Sequence, residues 1–416
     1  MKKIQHTAFY LAHNSDKDWL LKQIMYGGEL DFPFSLSGLA GEIFSNKTLQ
    51  YFIDEEMRHD HFEIATGRNN SLATSSSGEQ RKALLSYIIA KKPAYIIIDN
   101  VFESLDKETR QSIFTQLNEL SASTLFVQVF NRKSELLPFV DIIYSIEGTA
   151  MVQRQDQVSF LAQLNIKGSD NFVGTIPPPL NHYEPQTVPL VSMKNVSVQF
   201  DGRPILQNIS WEINAGEFWQ LAGPNGSGKS TLLSLVTGNS PKGYGQDLVI
   251  FGHRKGSGET VWELKKKIGY FTPSMTLQFE RQDSIEQMVI SGFFDSVGLY
   301  IKPSDSQVQL ARDWLSLIGM YQDKNRPFRM FPAGHQRMIL IARAMIKHPP
   351  LLILDEPTSG LDDDMATLFT GLINKIALET NTSILYVSHK EETGLLPRQI
   401  FELFPTDNGS IGKIQK

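Results

Sequence analysis

No cysteine occurs in the 416 residues, which excludes disulfides, thiolate metal sites and cysteine nucleophiles. No run approaches the ~18 consecutive apolar residues of a membrane-spanning helix. The amino terminus, Met1-Lys2-Lys3-Ile4-Gln5-His6, opens onto polar sequence and not onto the apolar stretch of a signal peptide. These deficits predict a soluble, cytoplasmic chain that meets a membrane, if at all, peripherally at its inner face. Basic charge is also short: 40 Lys and Arg face 45 Asp and Glu, a net charge of −5. That argues against broad nucleic-acid binding, which needs many phosphate-neutralising cations. What remains is a globular composition, 41% hydrophobic and 20% charged, in a chain long enough for two domains with separate cores.

Two segments repeat one another. The first runs Ser76-Ser77-Gly78-Glu79-Gln80-Arg81, an apolar helix-like stretch, Lys91-Lys92-Pro93, then Tyr95-Ile96-Ile97-Ile98-Asp99. The second runs Ala333-Gly334-His335-Gln336-Arg337, an apolar stretch, Lys347-His348-Pro349, then Leu351-Leu352-Ile353-Leu354-Asp355. Ser104-Leu105-Asp106 answers Gly360-Leu361-Asp362, and Leu136-Leu137-Pro138 answers Leu395-Leu396-Pro397. Helical periods alternating with short buried-strand runs imply parallel strands joined by crossover helices, an α/β fold. Between the copies, residues 176–189 carry five prolines and read as an extended connector. The expected division is residues 1–150, a connector over 151–189, and 190–416.

The second half carries the clearest chemistry. Trp219-Gln220-Leu221-Ala222 reads as a strand, followed by Gly223, Pro224, Asn225, Gly226, Ser227, Gly228, Lys229, Ser230 and Thr231, and then a helix. Its glycines permit backbone angles that let successive N–H groups converge on phosphate oxygens, and the helix turns its positive end the same way. Lys229 supplies a cation for the β- and γ-phosphates, and Ser230 a hydroxyl ligand for Mg2+. The expected ligand is therefore ATP with Mg2+. Asp355, at the tip of a strand, is expected to join the metal shell, and Glu356 to polarise the attacking water. His389 ends another strand, Leu385-Tyr386-Val387-Ser388, where it suits the γ-phosphate. Phe200, ahead of the turn Asp201-Gly202, is a candidate to stack on adenine, a core-facing role being the alternative.

These motifs, in this order, resemble the ATP-binding cassette (ABC) ATPases, a P-loop NTPase fold with a mixed sheet, flanking helices and a helical subdomain. The resemblance covers residues 191–416: Walker A at 223–231, Walker B with its glutamate at 351–356, the D-loop at 359–362 and the switch histidine at 389. Stretches beginning at Tyr244, Phe251 and Ser291 are similar to the tandem ATPases named for molybdate transport or photorepair. The resemblance implies ATP hydrolysis by a two-cassette protein whose halves pair head to tail, each ATP lying between the Walker motifs of one half and the signature of the other.

Departures from the family pattern matter equally. Thr272-Pro273-Ser274 stands where most cassettes place a glutamine, and the second signature reads Phe331-Pro332-Ala333-Gly334-His335. Pro332 offers neither hydroxyl nor N–H to a phosphate. The first half has no GxxxxGK[ST] before Ser76, Asn100 stands for the catalytic glutamate, and Phe130 aligns with His389. It reaches its signature too soon for a full nucleotide-binding core plus helical subdomain, so it reads as a truncated, degenerate copy. Yet Ser76, Gly78 and Glu79 preserve much of a working signature, with a plain helix N-cap as the alternative. The expectation is one competent composite site per chain. Three functions fit: an ATPase that powers or regulates a membrane permease, a soluble nucleotide switch, or a tandem factor acting on ribosomes or DNA.

Overall fold

The computed structural model describes every residue except 1–3, 13–14, 28–35, 60–61, 65, 67–70, 104, 163–171, 173, 181–188, 280, 390–391 and 416. Ser104 of the repeat, the first residues of the amino terminus and much of the expected connector therefore lie outside the described residues. The chain forms two compact units, residues 1–166 with 360–366, and residues 167–359 with 367–416.

In the first unit the order is β1 (Thr7–Leu11), α1 (Lys17–Tyr26), β2 (Gly41–Ser45), α2 (Asn46–His59), α3 (Ser77–Ala90), β3 (Tyr95–Asp99), α4 (Lys107–Leu120), β4 (Leu125–Phe130), β5 (Ile142–Glu147), β6 (Ala150–Asp156) and α5 (Gln157–Ala162). Residues 151–162, expected from the sequence to begin the connector, thus belong to β6 and α5. The strands make a six-stranded sheet in the order β2-β3-β4-β1-β5-β6. All pairings are parallel except β5 with β6. Ile96, Ile97, Ile98, Phe126, Val127 and Val129 are almost completely buried, as expected of parallel strands covered on both faces.

The second unit contains β7 (Val191–Phe200), β8 (Arg203–Ile213), β9 (Phe218–Ala222), α6 (Lys229–Val236), β10 (Asp247–Ile250), β11 (His253–Arg254), α7 (Val261–Lys267), β12 (Ile268–Phe271), α8 (Ile285–Ser291), α9 (Asp305–Leu317), α10 (Ala333–Met345), β13 (Leu351–Asp355), α11 (Asp363–Glu379), β14 (Ser383–Val387), β15 (Gln399–Phe404) and β16 (Ile411–Gln415). The first turn of α11 falls in the segment grouped with the first unit. The core sheet runs β12-β13-β14-β9-β15-β16, again parallel except at its last pair. Strand for strand this is the order of the first unit. A four-stranded antiparallel sheet, β11-β10-β7-β8, packs on it. Trp211 of β8 fastens the two sheets, stacking on Phe401 at 4.4 Å and meeting Trp219 edge-on at 5.4 Å.

The first half therefore keeps the whole core sheet, which its short lead-in to Ser76 had not suggested. Among the described residues it lacks the antiparallel sheet, and residues 46–76 hold one α-helix where residues 272–332 hold two. Register also corrects one alignment. Asp355 pairs with Val387 and Asp99 with Val129, so Asn131 is the counterpart of His389, and Phe130 answers Ser388.

Candidate nucleotide-binding site

The loop after β9 folds as its glycines require. Gly223, Gly226 and Gly228 have φ of +146°, +77° and +91°, angles that a side chain disfavours. A Cβ on Gly228 would come within 2.8 Å of Leu206 Cδ2, so the loop also needs the missing side chain for space. Gly228 caps α6, and Lys229 begins it. The Lys229 ammonium donates to the carbonyls of Gly223 (2.8 Å) and Pro224 (3.0 Å), which curls it across the loop where phosphate oxygens would compete for it. Ser227 is buried beneath the turn. Asn225, Gly226, Gly228, Lys229, Ser230 and Thr231 line a cavity of about 560 Å³.

Asp355 and Glu356 line the same cavity from the end of β13. Burial, and next the neighbouring Glu356 carboxylate, push the Asp355 carboxyl up to about 6, against the pull of Lys229 and a hydrogen bond from Tyr270. Burial, with Asp355 as the further cause, pushes the Tyr270 phenol up to about 12, so it remains a donor to that carboxylate. Glu356 sits at φ +46°, its N–H donating to Val387 O at 2.9 Å. His389 Nδ1 lies 3.2 Å from Glu356 Oε1, its side chain 4% exposed.

Among the described residues no group of three or more His, Asp and Glu could hold a metal unaided. Ser230 and Asp355 nevertheless bring a hydroxyl and a carboxylate oxygen to one cavity. That is the sparse donor set of a hard cation whose other ligands are waters and phosphate oxygens.

One site residue was invisible in the sequence. Ile205 lines the cavity from β8, where no local motif marks it, and Ser359, first residue of the D-loop, lines it from the turn after Glu356. Thr272, Pro273 and Ser274, noted as replacing a glutamine, line the cavity too. Phe200 does not. It is 42% exposed at the end of β7, with the Lys242 ammonium 5.4 Å above its ring.

The family model described as ABC transporter matches residues 206–359. The ABC transporter ATP-binding protein ModF of Escherichia coli is 39% identical over 327 residues, covering 76% of this chain and 67% of ModF. The chain belongs to the ABC ATPases. An uncharacterized ABC transporter ATP-binding protein of Schizosaccharomyces pombe is 26% identical over 348 residues, covering 82% of this chain and 70% of the relative. A structural model of ribosome-bound archaeal Pelota and ABCE1 matches with a TM-score of 0.66 at 12% identity, over 100% of this chain and 75% of the other, a likeness of fold alone. ATP hydrolysis is the activity of the family, and no helix among the described residues is long and apolar enough to cross a membrane.

The first unit of this ABC ATPase has rebuilt the place where the second carries its phosphate loop. Between β1 and α1 the glycines are gone, but Lys17 begins α1 as Lys229 begins α6. Its ammonium reaches both oxygens of Asp99, the counterpart of Asp355, at 3.1 and 3.2 Å. An internal ion pair thus occupies the strand tips. At the signature, Ser76 is the N-cap of α3 in a full capping box: its hydroxyl accepts from Glu79 N at 3.4 Å, while the Glu79 carboxylate accepts from Ser76 N at 3.0 Å and Ser76 Oγ at 2.7 Å. Gly78 is buried in the first turn of the helix, with Thr109 3.1 Å from where its Cβ would lie. The N-cap role weighed against phosphate binding is thus present. In the second unit Pro332 holds the N-cap of α10 with no side-chain hydrogen bond.

Proposed function

We propose that this ABC ATPase hydrolyses ATP at a single composite site, made by the Walker motifs of its second half and the Ser76 signature of a degenerate first half, and that the cycle serves a membrane transporter. The observation that carries the reading is complementary loss. One half keeps Lys229, Ser230, Asp355 and Glu356 around a cavity, with His389 against Glu356, but has Pro332 in its signature. The other keeps Ser76, Gly78 and Glu79 but has Lys17 locked on Asp99.

In this reading Lys229 and the loop amides hold the β- and γ-phosphates, with Phe200 or Ile205 beside the adenine. Mg2+ on Ser230 and Asp355 would neutralise developing charge. Glu356 accepts the proton of the attacking water, and His389 fixes the Glu356 carboxylate and faces the γ-phosphate. Ser76, released from Glu79, offers its hydroxyl to the same phosphate, and Gly78 its N–H. Ser76→Arg fills that position with a bulky side chain; ATPase activity surviving undiminished would contradict the composite site.

Transport association rests on the kinship with ModF, named as an ABC transporter ATP-binding protein. It implies cytoplasmic residence at the inner face of the membrane beside a permease. Thr272-Pro273-Ser274, lining the cavity in place of a glutamine, favours a second reading, a nucleotide switch that closes on ATP and reopens slowly. Capture of partners with Glu356→Gln separates them. A permease supports the first reading, a ribosome or DNA complex a tandem factor, and a bare eluate the switch.

A further inference from the structure

Glu356 is held in a conformation that the rest of its turn must support. A non-glycine residue at φ +46° is strained, and such residues persist where their surroundings over-determine them. The turn over residues 356–359 is gripped from two sides. Arg337 of α10 donates to Pro357 O at 2.9 Å and also bonds Ser359 O. On the other side Thr358, 2% exposed, donates its hydroxyl hydrogen to Glu392 Oε1. Thr358 Oγ1 also lies 3.2 Å from the Tyr386 hydroxyl. Since the single hydroxyl hydrogen of Thr358 goes to Glu392, Tyr386 is the donor in that second bond.

We infer that Glu392 and Thr358 are positioning residues for hydrolysis, tying the segment that follows His389 to the turn that carries Glu356. The link joins the two chain segments whose side chains meet in the His389–Glu356 contact. The hydroxyl and carboxylate belong to residues two positions after Glu356 and three after His389. The first unit supplies an internal control. The counterpart of Glu356 there is Asn100, also at positive φ, +45°. The counterpart of Thr358 is Phe102, buried and packed edge-on against Phe114 at 4.6 Å. Gln128, in the place of Tyr386, donates to Glu135 O at 2.7 Å and accepts from Leu137 N at 3.0 Å, both backbone groups. Packing and backbone contacts suffice to hold the bent residue where no carboxylate has to be aimed. The Thr358–Glu392 link is found in the unit that carries Glu356 and His389.

The inference rests on hydrolysis by the second-half site, and a double-mutant cycle on the full chain tests it. Thr358→Val and Glu392→Ala each break the link, while Thr358→Ser and Glu392→Gln keep a hydroxyl and an acceptor oxygen. Each disruptive variant is expected to lower kcat about tenfold while ATP affinity, read with a fluorescent analogue, stays within about twofold. The double variant should be no slower than either single one, and the conservative pair should restore turnover. Unchanged kcat, a loss confined to KM, or losses that multiply in the double variant would each overturn the inference. If Thr358→Val does not fold, Glu392→Ala against Glu392→Gln decides alone: glutamine restoring turnover supports the link, and glutamine as slow as alanine refutes it. A wild-type chain without turnover would overturn the hydrolysis reading and this inference with it. Turnover that the variants match would overturn the inference only.

Discussion

His389 Nδ1 and Glu356 Oε1 stand 3.2 Å apart although 33 residues separate them in sequence. The contact exists because β13 and β14 are adjacent and parallel, so that Asp355 pairs with Val387 and both side chains emerge from the same edge of the sheet. The left-handed turn at Glu356, a strain of about 1–2 kcal/mol, re-aims its carboxylate toward that edge.

Removing the Glu356 carboxylate should separate binding from chemistry. Glu356→Gln keeps the shape of the side chain and loses the base, so phosphate release should fall about 100-fold or more while ATP still binds. His389→Ala should slow release as well, by freeing the Glu356 carboxylate. Phosphate release assays with equilibrium ATP binding check both.

The Asp355 carboxyl gives a pH dependence with a definite sign. Its value of about 6 in the fold exceeds the ordinary 3.8 because burial disfavours the charge. For the metal-free protein this group favours the fold at low pH, and the contribution is lost as pH rises through 6. A metal ligand must be ionised, so apparent Mg2+ affinity should weaken about tenfold per pH unit below 6. Mg2+ titrations between pH 5 and 8 in the presence of ATP measure it; a flat profile contradicts the assignment.

Gly228 should not accept a side chain. At φ +91°, with Leu206 and Ile205 within 3.0 Å of a built Cβ, Gly228→Ala displaces the loop from which Lys229 reaches phosphate. ATP affinity should fall by about tenfold or more, a shift of ~1.4 kcal/mol in binding.

Lys17 and Asp99 should behave as a structural pair. Lys17→Met leaves a carboxylate that is 9% exposed without its ammonium, and should lower stability by about 1–3 kcal/mol. Adding Asp99→Asn should recover part of the loss. Urea unfolding followed in the first transition reads both, and a Lys17→Met chain as stable as wild type would contradict the pairing.

The nucleotide loop was legible in sequence because phosphate binding there demands contiguous glycines and a lysine at one spacing. The parallel strands at Tyr95–Asp99 and Leu351–Asp355 were legible because burial on both faces writes an unbroken apolar run. Lys17 was not, since an ion pair to Asp99 needs no surrounding motif. Nor was Asn131 as the counterpart of His389, because strand register is fixed by pairing partners and not by local sequence. The completeness of the first core sheet was hidden by the shortness of residues 46–76. Among the described residues the first half lacks one helix and the antiparallel sheet, a shortness that predicts a truncated copy without showing that the core sheet is kept.

Counting nucleotides per chain tests the account most directly. Glu356→Gln, saturated with ATP and Mg2+, should hold one nucleotide for each polypeptide. Two per polypeptide would mean that the first unit binds ATP despite the Lys17–Asp99 pair, and would contradict the single-site account.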